Sequence, residues 1–206
     1  GVAWGNVAQY EAYVGTLLMR FVDQGKVRLN DTVDRWMPDL PLSNKVTVKM
    51  LANQTSGYPD YEQDPTFVNQ FYKNPFQRFS FKQRRAIAFS RPQLFPPGTN
   101  WSYSHTNFMV LGKILAKVGG KPLSTLIKRE VLDPMGLKAT VANQTGQIPE
   151  PVLHAFSSER PSRASFSASA QGGVRPWCEQ GSSVTYAVPP RARTAAARNA
   201  NTSACG

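Results

Sequence analysis

Apolar residues return at Tyr10, Tyr13, Val14, Leu17, Leu18, Phe21 and Val22, the i, i+3, i+4, i+7 spacing of a helix with one buried face. This pattern predicts an amphipathic helix over residues 8–24, closed by Gly25, because glycine accepts the positive φ of a helix C-terminus. A second series, Phe108, Leu111, Ile114, Leu115 and Val118, predicts a helix over 107–118 that breaks at Gly119-Gly120. A partner over 122–132 follows, with Pro122 at its first position, where a missing N–H costs nothing. Shorter helices are expected at 31–37 (stopped by Pro38), 47–54, 66–73 and 80–90. The last opens on Ser80 with Gln83 three residues on, the capping-box spacing. Alternating patterns are scarce, and only residues 26–29 and 138–141 look extended.

After residue 160 the pattern stops. Residues 161–206 are dominated by Ala, Ser, Arg, Gly and Pro and contain no Leu, Ile, Met, Lys or Asp. Such a composition buries too little apolar surface to offset the entropy of ordering, so a disordered or poorly packed tail is expected. A shifted reading frame of a GC-rich gene would produce the same composition. The chain therefore divides into residues 1–160, rich enough in Leu, Val, Ile, Phe, Trp and Tyr for a core, and the tail 161–206. Both cysteines, Cys178 and Cys205, lie in that tail; an oxidising compartment would permit a disulfide, but nothing in the sequence positions the pair.

The net charge of +11 raises the question of an anionic partner. Basic residues are scattered, and the densest cluster, residues 82–85, falls in an expected helix, where it is accounted for as a solvated face. No helix-turn-helix, zinc-ligand spacing or base-stacking motif accompanies the charge, so no specific nucleic-acid partner is expected. Nor does any apolar run reach membrane-spanning length. No signal peptide is recognisable in the chain, and whether a segment stood upstream of Gly1 is left open.

Candidate chemistry concentrates in residues 94–112, L-F-P-P-G-T-N-W-S-Y-S-H-T-N-F-M-V-L-G. Pro96-Pro97-Gly98-Thr99 makes a rigid turn. That turn delivers Trp101, Tyr103, Ser104, His105 and Asn107 to the loop and first turn of the apolar helix. A self-satisfied turn and a functional site fit this local pattern equally well.

This block resembles the Tyr-x-Asn region of the serine β-lactamase and penicillin-binding-protein superfamily, in the branch of class C β-lactamases, D-Ala-D-Ala peptidases and related esterases. Other segments resemble the family in the same order: Phe21-Val22-Asp23-Gln24-Gly25-Lys26-Val27-Arg28-Leu29-Asn30-Asp31-Thr32-Val33, then Val46-Thr47-Val48-Lys49-Met50-Leu51 followed by Gln54-Thr55-Ser56-Gly57-Tyr58-Pro59-Asp60-Tyr61, then Val131-Leu132-Asp133-Pro134-Met135-Gly136-Leu137, and residues 148–160. The resemblance covers residues 5–160 and implies the family's α+β fold (β-lactamase/transpeptidase-like), present here mostly as its helical domain with most sheet strands missing. It also implies a serine hydrolase performing acyl transfer on a β-lactam, a D-Ala-D-Ala peptide or an ester, in an extracytoplasmic setting, with no cofactor and no metal. The oligomeric state is left open.

Residue by residue, the chain departs from the family's chemistry. The family's acyl transfer uses a Ser nucleophile with a Lys one helical turn on, a Tyr that assists proton transfer, and backbone N–H groups that hold the oxyanion. Aligning on Gly5-Asn6-Val7-Ala8-Gln9 puts Asn6 at the Ser position and Gln9 at the Lys position; counting back without gaps from Val22-Asp23 gives Ala8 and Glu11. Neither register supplies a hydroxyl or an amine. No Ser precedes Ser43 and no Lys precedes Lys26, and the early hydroxyl of Thr16 has Met19 one turn later. Tyr103 matches the family Tyr, and His105 stands where the family has Asn. His105 is either a base or hydrogen-bonding group near neutral pH or an ordinary first-turn polar residue. His154 is assigned a structural role, and no Lys-Thr-Gly or His-x-Gly follows Arg160. The sequence therefore reads as an acyl-transfer scaffold without its attacking oxygen; the alternative reading is a non-catalytic relative that binds a cell-envelope ligand around Trp101, Tyr103 and His105.

Overall fold

The computed structural model describes residues 8–74, 77–138 and 140–141, together with the backbone of 156–157 and 166–167. The chain divides into two compact units, Asn6–Ala142 and a second made of Gly1–Gly5 with Asn143–Gly206. In the second, Phe156–Ser157 (β1) pairs antiparallel with Phe166–Ser167 (β2), Phe156 opposite Ser167. The expectations for His154, for the cysteines and for most of the 161–206 tail lie outside the described residues.

The first unit is helical and is built around one central helix. The amphipathic stripe becomes α1, Ala8–Asp23, and buries Val14, Leu17, Leu18 and Phe21. Gly25 closes it at φ 67°. The Gly25 N–H donates to Val22 O, and the Lys26 N–H reaches back to Phe21 O, both at 2.9 Å, so the helix's last carbonyls are satisfied. Short helices α2 (Val48–Ala52), α3 (Pro65–Lys73) and α4 (Phe81–Ala88) follow, and Ser80 with Gln83 forms the expected capping box on α4. The central helix, α5, spans His105–Gly119. Its first half is buried on every side, from Thr106 through Gly112, which marks a helix enclosed by its neighbours. Gly112 leaves room for side chains from α1 and from the segment after α5: a Cβ there would sit 2.7 Å from Leu123 Cδ2 and 2.8 Å from Tyr10 Oη.

Several expectations are corrected. The 31–37 helix is a single 3-10 turn, Val33–Arg35. Its backbone groups are taken by the segment ahead of α2, with Val33 N–H donating to Val46 O at 2.9 Å and Asp34 N–H to Ser43 O at 3.1 Å. Residues 26–29 form no strand, because the chain turns at once: Asp31 N–H donates to Arg28 O and Arg28 N–H to Asp31 Oδ2. Lys138, Thr140 and Val141 are not in a strand either. The 122–132 helix is α-helical over Leu123–Ile127 (α6) and continues as a wider π turn, Lys128–Leu132. That change of pitch lets Leu126, Ile127, Val131 and Leu132 all point into the core. Two arginines of the basic cluster face the protein: Arg84 lies 5.7 Å over the Tyr61 ring and Arg85 pairs with Asp39 at 2.6 Å.

Candidate functional site

The N-terminal end of α5 meets two turns, 54–62 and 94–104, and their backbone shape decides what meets there. Gln54 takes φ 66° and Gly57 φ 78°. A Cβ on Gly57 would collide with the Phe95 carbonyl oxygen, so only glycine lets the two turns touch. They are then laced together: Leu94 N–H donates to Gly57 O, Gly98 N–H to Thr55 O and Ser102 N–H to Gln54 O. Ser104 sits at the N-cap position of α5 without a side-chain capping bond, and His105 opens the first turn, two residues before the expected start.

Two polar networks result. The inner one is fully buried and uncharged. Gln54 Oε1 accepts from the Ser104 N–H and from Asn107 Nδ2, Ser56 Oγ donates to Asn107 Oδ1, and Ser56 Oγ accepts from the Tyr58 N–H. Thr106 Oγ1 donates to Pro59 O and accepts from the Tyr61 N–H. Asn107 is thus a strut between α5 and the 54–62 turn.

The outer network is charged and open to solvent. Tyr103 Oη donates to Glu11 Oε1 of α1 at 2.9 Å and lies 3.4 Å from His105 Nε2. His105 Nδ1 faces Asp60 Oδ2 at 3.0 Å and Oδ1 at 3.3 Å, while Glu62 Oε2 lies 3.5 Å from Nε2. Asp60 is 6% exposed and its Oδ1 also accepts from the Glu62 N–H. Tyr61 Oη donates to the other Glu62 oxygen, and Arg91 donates to the Asp60 carbonyl. The electrostatics follow from the carboxylates. The hydrogen bond that the Asp60 carboxylate accepts raises the His105 pKa against the opposing effect of burial, aided by the charges of Glu62, Asp60 and Glu11. Burial and the Glu11 carboxylate together push the Tyr103 phenol up to about 12. At neutral pH Tyr103 is therefore a hydrogen-bond donor with its proton in place, and His105 is biased toward its charged form. Among the described residues no group of three or more His, Cys, Asp or Glu is arranged to hold a metal ion.

Of the residues singled out in the sequence, Tyr103 and His105 come together, and Trp101 stands out at 61% exposure. Asn6 lies outside the described residues; Gln9 lies in the first turn of α1, its side chain outside the description. Thr16 donates to the Ala12 carbonyl of its own helix at 2.8 Å. Glu11, which the ungapped register sets against the family's Lys, is the α1 residue that reaches Tyr103. Asp60 and Glu62 were not singled out. Their signal lay in the Tyr58-Pro59-Asp60-Tyr61-Glu62 run, which reads as loop until the turn folds back over α5.

A family model described as Beta-lactamase matches residues 12–198. This chain belongs to the β-lactamase family. Penicillin-binding protein 4* of Bacillus subtilis (strain 168) is 29% identical over 145 residues, covering 68% of this chain and 30% of that protein. A putative D-alanyl-D-alanine carboxypeptidase of Salmonella typhimurium is 27% identical over 134 residues, covering 61% of this chain and 30% of that protein. Among solved structures, a D-stereospecific amidohydrolase from Streptomyces sp. superposes with a TM-score of 0.72 at 27% identity, over 85% of this chain and 52% of that one. The chain thus spans about a third of the length of the curated relatives it matches. The fold is the β-lactamase/transpeptidase-like one, represented in the described residues by its helical part. Among those residues no helix is long and apolar enough to cross a membrane.

Proposed function

We propose that this β-lactamase-family chain binds an acyl ligand of the peptidoglycan-peptide, β-lactam or small-ester kind at the Tyr103–His105 cluster without becoming acylated. The observation that carries this reading is the Glu11 carboxylate at the Tyr103 hydroxyl. An amine beside a phenol lowers its pKa and readies it to take a proton; a carboxylate does the reverse. No serine precedes Ser43 to supply the attacking oxygen, and an amide such as Asn6 has no nucleophilic lone pair at neutral pH. What remains is a set of donors at the mouth of α5, the Tyr103 hydroxyl and the His105 ring, suited to the carbonyl and carboxylate oxygens of a peptide-like ligand. The family relationship and the ligand class favour an extracytoplasmic setting. With this reading goes the division of the chain at residue 160; sequencing the parent gene tests it, since family-like sequence in the +1 or −1 frame beyond that point is the expected result.

The functional test pairs binding with turnover. Calorimetry with a D-Ala-D-Ala-terminated peptide is expected to show saturable binding that Tyr103→Phe weakens at least about fivefold, one hydrogen bond's worth. Nitrocefin and p-nitrophenyl esters are expected to be left intact. Turnover of either substrate, or no binding at all, overturns the proposal.

A further inference from the structure

We propose that Asp60 is a positioning residue for His105, gripping the imidazole at Nδ1 so that Nε2 is held toward the Tyr103 hydroxyl and the incoming ligand. The inference rests on the site proposed above but concerns a residue that the sequence motifs did not single out. Four observations carry it. Asp60 is almost fully buried, yet its carboxylate meets the ring edge with both oxygens within 3.3 Å of Nδ1. Its backbone is fixed independently of the histidine: Asp60 caps the 3-10 turn Tyr61–Gln63, and its carbonyl accepts from Arg91. The ring itself is pinned at the first turn of α5, beside Thr106, which bonds the Pro59 carbonyl next to Asp60. Finally, acceptors crowd the ring edge: both Asp60 oxygens face Nδ1, Glu62 Oε2 lies 3.5 Å from Nε2, and the Tyr103 hydroxyl 3.4 Å from Nε2 spends its own proton on Glu11.

A carboxylate accepts and cannot donate, so its contact at Nδ1 favours the ring proton there, and Asp60 thereby sets which nitrogen of the neutral ring is offered to the ligand. The groups facing the ring are Asp60 and Glu62 from one turn, Tyr103 from the other, Glu11 from α1, and the Tyr61 ring at 6.4 Å. Asp60 is distinguished from the other two carboxylates by burial and by contact with Nδ1 alone. Glu62 is a third exposed and sits on the Nε2 side, and Glu11 acts through Tyr103.

Nitrogen-15 NMR of the full chain, with the His105→Gln variant separating His105 from His154, tests the assignment directly. In the wild type the neutral His105 ring is expected to be protonated at Nδ1. Asp60→Asn is expected to weaken proton binding by about tenfold or more, with Glu62→Gln weakening it less and Asp60→Glu restoring part of the loss. A neutral ring protonated at Nε2, or proton binding unchanged in Asp60→Asn, overturns the proposal. If Asp60→Asn does not fold, the wild-type tautomer alone decides. The readout needs no ligand: absence of peptide binding with an Asp60-dependent His105 would sink the functional reading and leave this one standing.

Discussion

The two polar networks at the N-terminal end of α5 are anchored two residues apart, at His105 and Asn107, and differ in charge and in burial. Around Asn107 and Gln54 the groups are neutral and buried, and their bonds run between the helix and the turn it packs on. Around His105 three carboxylates, a phenol and an imidazole share a partly solvated edge. Buried amide networks of the first kind give a single backbone arrangement, because each lost bond leaves a desolvated partner behind. Charged, reachable groups of the second kind add little to stability but retain protons that a ligand can use. A fold gains by placing them side by side, since the rigid network aims the reactive one.

Substitutions can break that contrast, beginning with the inner network. Asn107→Leu is expected to cost about 3 kcal/mol, because it leaves the Ser56 hydroxyl without its acceptor and removes one of the two donors to Gln54 Oε1 in a buried site; a urea midpoint unchanged from wild type would show that this network is not a strut. Gly57→Ala comes next at about 2 kcal/mol, since it combines a positive φ with a collision against the Phe95 carbonyl, again read by chemical denaturation.

The outer network is expected to show itself in pH dependence. The folded-state pKa of His105 is raised above its unfolded value. Its stabilising contribution is therefore fully present below the unfolded pKa, about 6.5, and is lost as pH rises through the folded value. Asp60→Asn is expected to flatten that part of the stability–pH curve, and a curve of unchanged shape would contradict the linkage. Smallest of all, Tyr103→Phe is expected to change stability by under about 1 kcal/mol, although it removes the hydrogen bond to Glu11. A loss of several kcal/mol would move Tyr103 from the second kind of network to the first.

The same contrast explains what was legible in the sequence. Helical periodicity gave α1 and α5 nearly to the residue, since each has an apolar face long enough to repeat. Capping chemistry gave α4, whose start is written in Ser80 and Gln83. Residues 31–37 carried helix-forming signals too, but bonds to residues 43–46 claimed their backbone, and no local pattern encodes those distant partners. At the site, Tyr103 and His105 were visible because they share a short motif on a helix start. Asp60 and Gln54 were not, because they act from about 45 to 53 residues away. Glu11 was visible only as one of two registers of an altered motif, and only the fold brings its carboxylate to the Tyr103 hydroxyl.

The proposed function rests on the Glu11 carboxylate at the Tyr103 hydroxyl and on a sequence with no serine before Ser43. Intact-protein mass spectrometry after incubation with a penicillin tests that claim most directly. An unchanged mass at saturating drug is the predicted result; a penicilloyl-sized increase mapped to any residue of this chain would contradict it.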